Sequence, residues 1–145
     1  MRETLRISAR ADYAIRATAG IAALPADGLV TADTLATEHD IPLRFLLTIL
    51  NKLRQVGIVE SRRGPGGGYR LVKTSSELTL AEIIAAVDVA PTHQPWPHAA
   101  DCAEESSTTV RVHALWSSLR TSLQDTLEHT TIADVLAGDE PTVSR

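Results

Sequence analysis

Apolar positions recur at helical spacing along most of the chain and alternate only in two short stretches near its middle. Over residues 11–24, Tyr13, Ala14, Ala17, Ile21 and Leu24 return to one side, as a 3.6-residue period requires. Pro25-Ala26-Asp27-Gly28 supplies turn chemistry that ends this helix. Thr31 suits the N-cap of a short second helix over 32–38 that buries Leu35 and Ala36. After the tight connection His39-Asp40-Ile41, Pro42 suits the first position of a third helix, where its missing N–H costs nothing. Leu43, Leu46, Leu50 and Leu53 form the apolar stripe of that helix, and Arg44, Thr48, Asn51, Lys52 and Gln55 the opposite polar one. Gly57 provides a left-handed cap.

Strand patterning follows over 58–62 and 69–72, joined by the tip Gly64-Pro65-Gly66-Gly67-Gly68. Thr79-Leu80-Ala81-Glu82 reads as a capping box with Leu78 and Ile83 as its hydrophobic staple. The helix it opens runs to about residue 88 and buries Ile83, Ile84 and Val87. Three prolines, two histidines and an acidic patch between 89 and 107 resist regular structure. A long helix over 108–129 then carries Val112, Leu115, Trp116, Leu119, Leu123 and Leu127 on one face. At roughly 33 Å, it is too long for a small domain to cover, so pairing with a second copy is expected to bury that face. Thr131 caps a last short helix, closed by Gly138. The pattern predicts a mainly helical fold with a small two-stranded wing: a winged helix-turn-helix followed by a long dimerisation helix.

Charge sharpens the reading. The net charge of −4 conceals 11 Lys/Arg against 7 Asp/Glu in residues 1–73 and 3 against 11 in residues 74–145. A basic reading module joined to an acidic partner module fits that division. No apolar run reaches the length of a membrane span, and the N-terminus lacks the apolar stretch of a signal peptide, so a cytoplasmic protein without a membrane partner is expected. One cysteine, Cys102, excludes an intramolecular disulfide and an all-cysteine metal site in one chain.

The basic glycine-tipped ribbon is the most specific chemical feature. Arginines beside a turn that can approach closely suit a phosphate backbone or a minor groove. A phosphate-binding loop is the competing reading, but the glycines lie between strands and lack a following Lys-Ser/Thr pair and helix. At the leading end of the third helix, Arg44 can pair with guanine and Phe45 or Thr48 can meet a thymine methyl. Double-stranded DNA is therefore the expected partner. The DNA-facing set comprises Thr31, Arg44, Phe45, Thr48 and Lys52 from the helices, with Ser61, Arg62, Arg63, Gly64, Gly66, Gly67, Gly68 and Tyr69 from the wing. Two rivals remain: a winged-helix adaptor for protein partners, and an enzyme, for which no nucleophile–base pair or complete metal motif is present.

The run Ile41-Pro42-Leu43-Arg44-Phe45-Leu46, the Ser-x-Arg-Gly-Pro-Gly-Gly-Gly-Tyr wing from Ser61 to Tyr69, and His113-Ala114-Leu115-Trp116 resemble regulators of the IscR/NsrR/CymR type, the Rrf2 family. The resemblance implies a homodimeric winged-helix transcriptional regulator, more often a repressor, acting on a pseudo-palindromic operator in response to a redox, nitric-oxide or metabolite signal. It implies that Arg63 enters the minor groove and that Arg44, Phe45 and Thr48 read bases. It divides the chain into a DNA-binding domain (1–88), a sensor-type loop (89–107), dimerisation and terminal helices (108–138) and a flexible tail (139–145). Pro42 stands where a serine is common and Leu47 where a polar residue often contacts DNA, so the operator should differ from those of better-known relatives.

Cluster-binding relatives place three cysteines before the His-x-Leu-Trp segment. Here Val110 holds the last of those positions and Cys102 alone remains. The resemblance leaves a mixed iron–sulfur ligand set of Asp12, His39 and Cys102, with Arg16 where a further histidine would be needed. The mixed set is the second reading; the first is a protein without a cofactor, in which His39 caps a turn, Asp12 is a surface charge and Cys102 is a loop thiol.

Overall fold

The structure, a computed structural model, describes residues 8–88 and 107–138. Among the described residues, six helices and one hairpin follow in the order α1 (Ala9–Ala22), α2 (Ala32–Glu38), α3 (Leu43–Gln55), β1 (Val59–Arg62), β2 (Gly68–Leu71), α4 (Leu80–Val87), α5 (Ser107–His129) and α6 (Ile132–Ala137). Helices α1, α3 and α4 enclose the core with α2 and α6 at its margins, and α5 packs on α4.

Local chemistry sets most element ends. The Ser8 hydroxyl accepts from the Ala11 N–H at 3.0 Å and starts α1 two residues before the expected position. The helix also ends two residues early, at Ala22, because Pro25 disfavours helical geometry at Leu24. Thr31 caps α2 by accepting from the Thr34 N–H. Asp40 adopts φ 51°, a left-handed conformation aspartate tolerates, and turns the chain so that Ile41 N–H reaches the Ala36 carbonyl at 2.9 Å. Pro42 stands one residue ahead of α3, as its N-cap, rather than at its first position; its carbonyl accepts from Leu46 at 3.0 Å. Gly57, at φ 78°, follows α3 as expected.

The buried stripe of α3 is Leu46, Ile49, Leu50 and Leu53, all within 1% of full burial. Leu43, expected in it, is exposed. The four buried residues span an arc of about 100° on a helical wheel and Leu43 falls just outside it. Ile84 is half-buried, whereas its neighbours Ile83 and Val87 are fully enclosed.

Two short backbone bridges lock the periphery. Val30 and Tyr69 exchange hydrogen bonds at 3.1 and 2.7 Å, fixing the wing to the segment before α2. At the other end, Leu80 N–H reaches the Thr130 carbonyl and Ile132 N–H the Leu78 carbonyl, both at 2.9 Å. The N-caps Thr79 and Thr131 therefore face each other, and each completes a capping box, with Glu82 and Asp134 respectively.

Candidate nucleic-acid interface

Because its inner stripe is sealed into the core, α3 has one free side, which carries Arg44, Phe45, Leu47, Thr48, Asn51 and Gln55, all exposed. Phe45 is 58% and Leu47 46% exposed. The Thr48 hydroxyl donates to the Arg44 carbonyl at 3.3 Å, and Arg54 donates to Asn51 Oδ1 at 3.0 Å. Lys52 behaves differently from its neighbours. It is half-buried and donates from Nζ to the Val87 carbonyl at 3.1 Å, so its charge is used at the C-terminus of α4. Thr31 is exposed at the start of α2, its hydroxyl engaged by Thr34.

The wing pairs antiparallel, with Glu60 opposite Arg70, Ser61 opposite Tyr69 and Arg62 opposite Gly68. Arg70 and Glu60 form a cross-strand ion pair, which leaves Arg62 and Arg63 as the exposed arginines closest to the tip. Gly64 and Gly66 take φ of 99° and 72°, open to glycine at little cost. The Gly67 N–H closes the turn on the Gly64 carbonyl at 2.9 Å. Gly68 is demanded by space: a Cβ there would lie 2.5 Å from the Val30 carbonyl oxygen. Tyr69 is half-buried and carries the bridge to Val30.

On α5, Val112, Leu115, Trp116, Leu119 and Leu123 recur at i, i+3, i+4, i+7 and i+11, and all stay exposed. Leu127, expected on the same face, is half-buried, at the end where the chain turns back towards α4 through the Thr130 carbonyl.

The matches to known proteins follow the same parts. The Rrf2 family, described as iron-dependent transcriptional regulators, matches residues 7–138. The chain belongs to the Rrf2 family. It is 35% identical over 137 residues to a protein of Mycobacterium tuberculosis named as an HTH-type transcriptional regulator, covering 94% of this chain and 84% of that one. It is 30% identical over 132 residues to the HTH-type transcriptional regulator IscR of Photobacterium profundum, covering 91% and 76%. Its fold resembles IscR of T. potens (TM-score 0.74, 23% identity, 94% and 90% covered) and CymR, described as the global cysteine regulator of B. subtilis (TM-score 0.80, 24% identity, 94% and 100% covered). This Rrf2 chain is thus a transcriptional regulator with a winged-helix fold.

The iron dependence in the family description is a question for the residues of this Rrf2 member. Asp12 forms an ion pair with Arg16 at 2.6 Å, and the Arg16 guanidinium lies 5.8 Å from the centre of the Tyr13 ring. The His39 ring packs over Gly20, where a Cβ would lie 2.2 Å from Nε2. Gly20 stands eight residues beyond Asp12, about 12 Å along α1, so the two side chains sit at different levels of the helix. Cys102, like the loop around it, lies outside the described residues. Among the described residues no three His, Cys, Asp or Glu side chains gather as a metal site. Of the candidate mixed ligand set, Asp12 and His39 alone fall within the described residues, and the Asp12 carboxylate pairs there with Arg16.

Leu43, Leu47, Asn51, Arg54 and Gln55 are the exposed α3 positions absent from the DNA-facing set drawn from sequence. Of these, Leu47, Asn51 and Gln55 lie within about 60° of Arg44 on a helical wheel. Among the described residues, no helix is long and apolar enough to cross a membrane.

Proposed function

We propose that this Rrf2 regulator binds double-stranded DNA as a homodimer, with α3 in the major groove and the wing on the flanking backbone, and that it acts as a repressor at a pseudo-palindromic operator. The observation that carries the proposal is the shared exposure of the α3 outer face and of Arg62 and Arg63, on elements whose inner sides are fixed by the core and by the Val30–Tyr69 bridge. Arg44, Phe45 and Thr48 lie at the leading end of α3, the end that meets base edges when a helix enters a groove. Arg62 and Arg63 supply the sequence-independent attraction to phosphates. The glycine tip lets the ribbon approach closely, with Ser61 and Tyr69 in its strands. Lys52 has no part in this reading, because its ammonium is held within the fold.

The exposed apolar stripe of α5 supports the dimer, since a contiguous apolar face on a regulator marks an association surface. Two copies would present two reading heads to two half-sites, about one helical turn or a multiple of it apart. An adaptor for protein partners would draw on Phe45 and Leu47, but the arginines beside them favour a polyanion. The test is the affinity of the full chain for duplexes that it enriches from a randomised library, read by fluorescence anisotropy across salt concentrations. A logarithmic affinity that falls steeply and linearly with the logarithm of salt supports the reading; salt-independent or undetectable binding rejects it.

A further inference from the structure

Between the polar residues of the reading face, α3 holds two large apolar side chains in solvent, Phe45 and Leu47. At 100° per residue, Leu47 lies about 60° to one side of Arg44 and Phe45 about 100° to the other. The strip of Arg44, Thr48 and Asn51 is thus bordered by hydrocarbon on both edges. Leu43, one turn ahead of Leu47 on the same edge, is also exposed. Arg44, Arg54, Arg62 and Arg63 are exposed around this face, so its occupant has to be polyanionic as well as apolar in places. A major groove meets both requirements, and its one apolar feature is the C5-methyl group of thymine.

We propose that Leu47 is a specificity-determining residue that packs on a thymine methyl in each operator half-site. The proposal rests on the DNA-binding reading above and adds the base class that the apolar edge selects. Arg44 can supply hydrogen bonds to a purine edge, which a leucine cannot. Leu47 contributes only by excluding water from a methyl group, so a base lacking that methyl forgoes this packing while keeping every hydrogen bond.

Thymine and uracil differ by this methyl alone, and that sets the test. Duplexes enriched by the full chain from a randomised library are resynthesised with deoxyuridine at one thymidine position at a time. At least one position per half-site is expected to lose affinity about fourfold, the worth of one buried methyl group; Phe45 or Thr48 accounts for any second one. Leu47→Ala is expected to erase the difference between thymine and uracil at one such position, and its circular dichroism should match the parent because the side chain is half in solvent. The proposal is overturned if no position distinguishes thymine from uracil, or if the distinction persists undiminished at every such position in Leu47→Ala. Failure to enrich any duplex would remove the DNA-binding reading itself, and this inference with it.

Discussion

The Lys52 ammonium donates to the Val87 carbonyl at 3.1 Å, which joins the exposed helix α3 to the last turn of α4. That carbonyl is one of the four a helix leaves without an internal partner, and a positive charge at this end also meets the negative pole of the helix. Next to it, Asp88 accepts from the Ser8 hydroxyl at the start of α1. The end of α4 is therefore tied to two other helices by polar groups while Ile83 and Val87 hold it from inside. Lys52→Met, which keeps the hydrocarbon stem, is expected to lower unfolding free energy by about 1 kcal/mol, the net worth of a partly exposed hydrogen bond from a charged donor. Chemical denaturation checks this. Duplex affinity should change less than stability does, the reverse of what a phosphate-binding role would give.

At the wing, the Gly68 backbone lies so close to Val30 that a methyl group would sit 2.5 Å from its carbonyl oxygen. Gly68→Ala is expected to push β2 off the Val30 bridge at a cost of about 1–3 kcal/mol, typical of overpacking. Helical circular dichroism should persist, because α1, α3 and α4 also pack directly on one another. Amide exchange at Tyr69, whose N–H donates to Val30, reads the loss directly.

Features set by a few neighbouring residues were legible in the chain: the Thr31, Thr79 and Thr131 caps, the left-handed Gly57 and the glycine turn. Each depends on groups close together in sequence. The stripe of α3 was legible only in part, since Leu43 and Ile49 both continue the period. Only the elements packed around the helix decide that Ile49 is covered and Leu43 is not. In sequence Lys52 looks like one more polar residue on the outer face, because its partner carbonyl stands 35 residues away. Arg70 likewise looks like a third free wing arginine, and only the register places Glu60 opposite it. The same limit applies to His39, whose ring fills the space left by Gly20 on another helix.

Carboxylates at the two facing capping boxes predict acid sensitivity. Glu82 is held below its ordinary value chiefly by the hydrogen bond from Lys73 at 2.6 Å. Asp134 is lowered by the Thr131 backbone N–H at 2.8 Å and then by its hydroxyl. A carboxylate whose folded value lies below its unfolded one stabilises the fold above the unfolded value and loses that contribution as pH falls through the folded value. Thermal midpoints should therefore hold steady at mildly acidic pH and decline below about 4.3, where unfolded glutamate and then aspartate take up protons. Glu82→Gln combined with Asp134→Asn should flatten part of that decline, as followed by circular dichroism.

The proposed pairing of two copies through the apolar stripe of α5 is sensitive to a single charge. Leu119 lies near the middle of the stripe and is 46% exposed. Leu119→Glu is expected to weaken the dimer by about 3–5 kcal/mol, the cost of an unpaired charge buried at an interface, and so by more than about a hundredfold. Light scattering at micromolar concentration should report a monomer, with the helical spectrum intact because the side chain is not part of the intrachain core. Operator affinity should fall as well, since two linked half-site interactions become independent.

In the proposed DNA complex, Arg63 would separate attraction to the backbone from base reading. It is exposed at the tip of a ribbon whose base is anchored by the Val30–Tyr69 bridge, while Arg70 is neutralised by Glu60. Arg63→Ala should weaken binding to operator and unrelated duplexes alike, because phosphate and minor-groove interactions carry little sequence information. It should also reduce the slope of logarithmic affinity against logarithmic salt by about 1 for each phosphate that is no longer neutralised. A substitution at Arg44 should instead lower operator affinity more than affinity for unrelated duplexes and relax preference at one base pair, with a cost of about 1–3 kcal/mol. Anisotropy titrations of both variants at several salt concentrations distinguish the two roles. An unchanged salt slope for Arg63→Ala would place the wing away from the phosphates.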